Sequence, residues 1–262
     1  MKSLVRWGTK VGLIGSTLLA TVASGTFPVV ALPESEVVGT LNEVPVFMVT
    51  NKNGVPLSRP IPAKKGEQGS KAITGVYMSR QEAQTFVSQL QSTKTKDPKQ
   101  AQMFKELTVT AVPLGLIYKQ LQNTKNQQNR LLFAFKPVDK EVQGAMELLR
   151  KNGQKVEKME SVPLFFVRFA PDKGYVSIKP KEGNKEFIPA FTSKQDAIGL
   201  LNQVKPKYKQ ADIQVADIDG VIKVLKEKDD EWLKQVTIVP SPESRKFIQT
   251  LPRNSNNAPK KK

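Results

Sequence analysis

The residues of this chain that could perform acid–base chemistry are carboxylates, because its 262 residues include neither histidine nor cysteine. That absence excludes Ser-His-Asp and Cys-His catalysis, histidine-bearing zinc sites and thiol redox chemistry. Hydrolysis of glycosides by paired carboxylates remains open. The candidate groups are Asp217 with Asp219, and the run Asp229-Asp230-Glu231.

Both carboxylate groups also have a structural interpretation. Asp217 and Asp219 lie at a predicted strand-to-helix turn, where aspartates commonly cap or turn the backbone. The later acidic run is flanked by lysines, which is typical of a solvated helix start. The sequence contains neither a phosphate-binding nor a dinucleotide-binding glycine motif. We therefore predict no catalytic residue, no metal ligand, no cofactor and no enzymatic activity.

Two helix starts share one pattern at an offset of 114 residues, with serines at Ser79 and Ser193 and acids at Glu82 and Asp196. Each serine is predicted to cap its helix while the acid returns a hydrogen bond to the serine amide. Apolar residues follow at the i, i+3, i+4, i+7 spacing of one helix face. They are Ala83, Phe86, Val87 and Leu90 in one helix, and Ala197, Leu200, Leu201 and Val204 in the other.

The same order of elements is predicted on both sides of these helices. Short helices are expected after Gly115 and Gly220, last helices are expected after the caps Asp139 and Ser241, and residues 92–102 are expected to be a polar connector. The pattern predicts an internally duplicated α+β protein with pseudo-two-fold symmetry, each half roughly β-β-β-α-β-α-β-α. The halves are 32–152 and 153–252, with strands at 44–49, 55–57, 73–78, 107–112 and 132–135, then 162–167, 175–178, 187–191, 213–216 and 236–239.

The N-terminus has the layout of a secretory signal peptide, residues 1–31. A basic segment precedes the apolar stretch 11–23, and small residues before Leu32 predict cleavage between Ala31 and Leu32. The alternative is an uncleaved anchor, although polar residues interrupt the roughly 20 apolar residues that a span needs. No later segment is apolar enough to span a bilayer, so we predict an exported soluble protein of the periplasm. The thylakoid lumen is reached with similar signals.

The chain is strongly basic. Its formal net charge is +17, and removal of three cationic signal residues leaves +14. This charge favours acidic protein surfaces, anionic lipid or nucleic acid, and the exported address disfavours nucleic acid. Residues 253–262 end in three lysines after a polar stretch and are predicted to be a disordered basic tail.

Phenylalanines are concentrated on two predicted strands, at Phe165, Phe166 and Phe169 and at Phe133 and Phe135. A continuous apolar strand is typical of a buried central position, so these side chains are predicted to form core. The alternative is an apolar groove that receives an unfolded chain or an edge strand.

Short motifs in a fixed order give a resemblance that covers nearly the whole chain after the signal. The sequence resembles cyanobacterial members of the Tic22-like family, which is named for a soluble intermembrane-space subunit of the chloroplast import machinery. The motifs are Val30-Ala31-Leu32-Pro33-Glu34, Val44-Pro45-Val46-Phe47, Gly75-Val76-Tyr77-Met78-Ser79, Gln81-Glu82-Ala83, Val112-Pro113-Leu114-Gly115, Phe133-Ala134-Phe135, Val162-Pro163-Leu164-Phe165 and Val239-Pro240.

The resemblance implies a duplicated α+β fold, a periplasmic or thylakoid-lumen location and a chaperone-like role without catalytic residues. It also implies contact with outer-membrane β-barrel assembly or translocation proteins. We therefore expect a carrier for precursor polypeptides in outer-membrane biogenesis, whose binding surface and oligomeric state the sequence does not specify. The alternative is an envelope-tethering protein that binds anionic lipid or glycan through its basic surface.

Overall fold

A computed structural model of the protein describes residues 32–62, 71–127, 130–180, 185–228 and 230–251. The predicted signal peptide, the tail 253–262 and Asp229 lie outside the described residues, whereas Leu32 opens them with a buried side chain. The elements up to residue 152 are α1 (Glu34–Asn42), β1 (Pro45–Thr50), β2 (Ser58–Ile61), β3 (Lys71–Tyr77), α2 (Arg80–Ser92), α3 (Pro98–Lys105), β4 (Thr108–Pro113), α4 (Leu114–Thr124), β5 (Arg130–Lys136) and α5 (Asp139–Lys151).

The remaining elements follow in a similar order and confirm the α+β class. They are β6 (Pro163–Arg168), β7 (Ile188–Phe191), α6 (Lys194–Val204), β8 (Asp212–Asp217), α7 (Ile218–Glu227), a 3₁₀ turn (Glu231–Gln235), β9 (Val236–Val239) and α8 (Pro242–Thr250).

The two sheets share one strand order. In the first sheet β1 lies between β4 and β3, and β3 pairs in parallel with β5. In the second sheet β6 lies between β8 and β7, and β7 pairs in parallel with β9. The pair Phe47–Tyr77 in the first sheet has its counterpart in Phe165–Phe191. This common topology agrees with the predicted repeat, while duplication itself and exact two-fold symmetry stay predictions.

Side chains alternate between the two faces of each sheet, so those of the central strands β1 and β6 belong to different cores. Val46 and Leu164 join a core between the sheets that also contains the apolar faces of α1, α4 and α7. On the outer side of the second sheet, Phe165 packs with α5 and α6. On the outer side of the first sheet, Val49 packs with α2 and its neighbours in a smaller cluster. Each sheet is therefore covered on both faces.

Several predicted elements differ from the structure. The strand expected at 55–57 is displaced to β2, and 175–178 forms isolated bridges at Tyr175 and Ile178. The helix α1 was not predicted because its three apolar residues are too few to define a period. The expected connector 92–102 contains the start of α3, which Asp97 caps by accepting from the Lys99 amide at 2.9 Å.

The helix caps are partly as predicted. Ser79, Ser193 and Ser241 each accept a hydrogen bond from an amide in the first turn of the following helix. Asp139 is wrong as a cap: it is the first residue of α5, and its carboxylate binds the Lys136 ammonium at 2.7 Å. The reciprocal half of the capping box is also wrong, because the carboxylate of Glu82 accepts from the Asp139 amide at 3.4 Å instead.

Helices α1 and α4 approach each other closely at Gly115, in the first turn of α4. A Cβ there would lie 2.8 Å from the Val38 carbonyl oxygen of α1. We expect Gly115→Ala to lower the free energy of unfolding by about 1–3 kcal/mol, because two packed helices must separate. The control is Gly199→Ala in α6, where the added Cβ meets nothing within 4 Å. In denaturant unfolding, the free energy of unfolding of this control should rise by up to about 1 kcal/mol. Equal changes in the free energy of unfolding for both variants would contradict close packing of α1 against α4 at Gly115.

Candidate functional site

The two candidate carboxylates, Asp217 and Asp219, make separate hydrogen bonds. Asp217 caps α7, accepting from the Gly220 amide at 2.7 Å, and Asp219 accepts from the Ser161 hydroxyl at 3.2 Å. The structural interpretation of Asp217 is therefore confirmed. In the acidic run, Asp230 precedes the 3₁₀ turn and Glu231 pairs with Lys234 at 2.5 Å. Across the described ranges, no cluster of three or more acids could hold a metal ion.

The phenylalanines belong mostly to the core, as predicted. Phe165 and Phe166 are buried on opposite faces of β6. Phe133 and Phe135 lie partly buried against the core between the sheets. Phe169 packs against Tyr208 with ring centroids 4.6 Å apart and ring planes inclined by 58°. These side chains therefore do not form an open groove.

The N-termini of α2, α5, α6 and α8 meet where the two halves join. Glu141 of α5 accepts from the Lys194 amide of α6 at 2.7 Å. Glu243 of α8 accepts from the Gln81 amide of α2 and from the Ser79 hydroxyl, both at 2.8 Å. A carboxylate at a helix N-terminus satisfies free amides and complements the helix dipole. The last helix of each half therefore caps a helix of the other half: α5 caps α6, and α8 caps α2.

Glu82 has an unusual environment at this junction. Burial raises the pKa of its carboxyl group above the ordinary value, with a further contribution from the carboxylates of Asp139 and Glu243. The Asp139 amide and the Lys136 ammonium oppose this shift. Among the side-chain atoms that the structure describes, Oε2 of Glu82 is the buried one without a hydrogen-bond partner.

We expect Glu82→Gln to stabilise the protein at neutral pH by about 0.5 kcal/mol, a value reduced for partial exposure to solvent. A raised folded-state pKa means that the native state binds the proton more tightly, so stability falls as pH rises from the unfolded-state pKa through the folded-state pKa. The gain should therefore vanish below the ordinary pKa of glutamic acid. Thermal unfolding of the wild type and of Glu82→Gln, from below the ordinary pKa of glutamic acid to neutral pH, measures this difference in stability.

The matched control is Glu147→Gln, where a hydrogen bond from Lys194 lowers the pKa of an exposed carboxyl group. Because this shift has the opposite sign, the control should not be stabilised at neutral pH. A gain in Glu147→Gln, or none in Glu82→Gln, would contradict the assignment.

Apolar side chains are exposed at the outer side of the first sheet. Met103 of α3 is 40% exposed and lines an open cleft of about 460 Å³ between α3 and the turn after β1. The polar part of its wall is formed by Asn51, Lys99, Gln102 and Glu106. Ile248 on α8 and Leu251 directly after it are also exposed. Sequence analysis did not predict this surface, because exposure on an amphipathic helix depends on what packs against it.

No helix among the described residues has the length and apolar composition needed to cross a membrane. The sequence profile of the Tic22-like family matches residues 10–250. The chain belongs to the Tic22-like family. No curated protein matched the sequence of this chain.

Two solved structures of Tic22 proteins are similar to this Tic22-like chain. Anabaena Tic22, a protein of protein transport, is 59% identical with a TM-score of 0.82, covering 85% of this chain and 99% of its own. Tic22 from Plasmodium falciparum is 17% identical with a TM-score of 0.58, covering 81% of this chain and 96% of its own. The second comparison shows the fold alone.

The motifs that indicated the Tic22-like family occupy structural positions. The motif that begins at Val44 forms β1, and the motif that begins at Val112 forms the junction between β4 and α4. At this junction the Leu114 amide donates to the Val44 carbonyl at 2.8 Å. These residues identify the fold, so the binding surface must be derived from exposure and hydrogen-bonding capacity.

Proposed function

We propose that this Tic22-like protein takes part in protein transport as a non-catalytic, chaperone-like carrier of precursor polypeptides. The observation that carries the proposal is the 59% identity to Anabaena Tic22, a protein of protein transport, over 99% of that protein's length. The cleft beside Met103 and the exposed apolar side chains of α8 support it. Small apolar surfaces of this kind suit transient contacts of micromolar or weaker affinity.

The proposed place of action is the periplasm, with the thylakoid lumen reached by the same type of signal. The basic and apolar N-terminal segment supports export. The proposed partners are unfolded outer-membrane precursors and the outer-membrane β-barrel assembly or translocation protein. The net charge of +14 that remains after signal removal suits acidic surfaces on such partners.

Crosslinking in a periplasmic extract tests this proposal. The chain from Leu32 to Lys262 is added, crosslinked and analysed by mass spectrometry. Recovery of outer-membrane precursors or of the assembly protein is expected. Recovery of anionic lipid or glycan without those proteins would contradict the carrier role and support envelope tethering. Salt separates the two interactions, because contacts with charged surfaces weaken at high ionic strength while apolar contacts persist.

A further inference from the structure

The outer edge of β4 has backbone groups that no other described strand uses. β4 pairs with β1 in antiparallel register, with Pro45 opposite Pro113. The neighbouring pair Val44–Leu114 is hydrogen-bonded, since the Leu114 amide donates to the Val44 carbonyl at 2.8 Å. Hydrogen-bonded and non-hydrogen-bonded pairs alternate along an antiparallel ladder. The even-numbered residues of β4 therefore bond to β1.

The odd-numbered residues of β4 point their amide and carbonyl groups away from β1. The partner strand confirms this alternation, because Val49, opposite Val109, accepts through its carbonyl from the Leu57 amide on the other side of β1 at 2.8 Å. The backbone groups of Val109 and Ala111 are thus directed to the free edge. Pro113 has no amide hydrogen and ends the row of donors.

Pro113 ends the edge of β4, but the strand has little other protection against added strands. Natural proteins protect such edges with charged side chains, proline or a covering element. β4 has no charged residue between Thr108 and Pro113. Its counterpart β8 has an aspartate at each end, and Ile213 and Val215 in β8 are buried.

The covering helices differ between the two sheets. α2 covers the outer face of β4 and β1, as α6 covers that of β8 and β6. A second helix, α5, also lies across β8 and β6, whereas α8 makes no comparably extensive contact with β4 or β1 within the described residues. α8 contacts the first sheet through Phe247, whose ring lies 5.5 Å from that of Phe47. The cleft lined by Met103 lies at the Thr108 end of β4, because Asn51 and Glu106 form its wall. An extended segment along the edge can therefore continue towards this partly polar cleft, past the Leu107 carbonyl, which accepts from the Gln91 side chain at 3.2 Å.

We propose that the outer edge of β4 binds an extended segment of a transported polypeptide as an additional β-strand. The inference rests on the proposed carrier function and specifies how that function recognises its cargo. Main-chain hydrogen bonds to Val109 and Ala111 supply sequence-tolerant affinity. The uncharged strand favours segments of alternating apolar and small polar residues, about as long as β4 itself. Such recognition suits a carrier that must accept many precursors.

The variant Ala111→Pro tests the proposal. Proline removes the outward amide of Ala111 and leaves the hydrogen bonds to β1 in place, which an edge strand tolerates. The matched control, Ala111→Thr, keeps the amide and a β-forming side chain. The probe is a fluorescently labelled outer-membrane β-barrel polypeptide diluted from urea. We expect Ala111→Pro to weaken its binding by about tenfold or more in anisotropy titrations, and Ala111→Thr to bind like the wild type.

The outcomes separate the two proposals. Undiminished binding by folded Ala111→Pro would overturn strand addition at β4 alone, whereas absence of binding by the wild type would overturn the carrier function. Thermal unfolding establishes that the variants fold. Hydrogen exchange of the wild type provides a second measurement, in which the amides of Val109 and Ala111 should gain protection when the probe binds. A wild-type homodimer that Ala111→Pro dissociates would assign the edge to self-association and overturn the proposal.

Discussion

A chain that ends at residue 152 should not fold on its own. In the intact protein, Ala145 and Leu149 of α5 are buried with Phe165 of the second sheet. A first half in isolation would expose this apolar face. It would also lose α8, which contacts Phe47 through Phe247 and caps α2 through Glu243. The predicted halves 32–152 and 153–252 are therefore proposed to fold together as one unit.

Near-ultraviolet circular dichroism and urea unfolding test whether the isolated first half folds. The isolated first half should show no cooperative transition, while the intact chain should show one. Co-expression of both halves as separate chains is the control, since α5 and α8 can then find their partner sheets. A cooperative transition for 32–152 alone would contradict the dependence of one half on the other.

The second large effect is expected from Leu149→Ala. Leu149 is 2% exposed in the cluster that joins α5 to the second sheet. Removal of a buried leucine side chain costs the lost burial and leaves a cavity, which together amount to about 2–5 kcal/mol. Chemical denaturation should show this loss as a lower midpoint without a change in slope.

The chain provides a matched control 102 positions later, at Leu251 after α8. Leu251 is 47% exposed. Leu251→Ala should therefore change the free energy of unfolding by no more than about 0.5 kcal/mol. Similar losses in the two variants would show that the covering of the two sheets is more equal than the structure indicates.

Local chemistry made part of the fold predictable. The serine caps of α2, α6 and α8 depend on residues within one helical turn, and their positions were predicted correctly. The strands β1 and β3 to β9 lie close to their predicted positions because alternation and apolar runs are local too. The helix α3 was missed although Asp97-Pro98 is a helix-start signal, because its helix is polar and short.

Contacts distant in sequence were not predictable. Glu141 and Glu243 cap helices of the opposite half, and no spacing within either helix indicates that partner. The acids Glu82 and Asp196 were assigned to their own caps, but Asp196 binds Arg245 of α8 at 2.7 Å. A side chain at a helix start selects among neighbours that only the tertiary fold supplies.

The candidate binding surface was predictable only in general terms. The absence of histidine and cysteine favours non-catalytic binding, and binding of an edge strand is one of the two interpretations of the phenylalanine-rich strands. The sequence of β4 resembles that of a paired strand, so its position at a sheet edge could not be inferred from Val109 or Ala111 alone. Strand order and the covering helices determine which edge is open.

Titration of the wild-type chain with an unfolded outer-membrane polypeptide tests the carrier function most directly. The labelled polypeptide is diluted from urea into the protein at physiological salt and at high salt, and its fluorescence anisotropy is followed. The account predicts saturable binding of micromolar affinity that persists at high salt, because hydrogen bonds and apolar contacts supply it. Absence of saturable binding, or binding that disappears with added salt, would contradict the account.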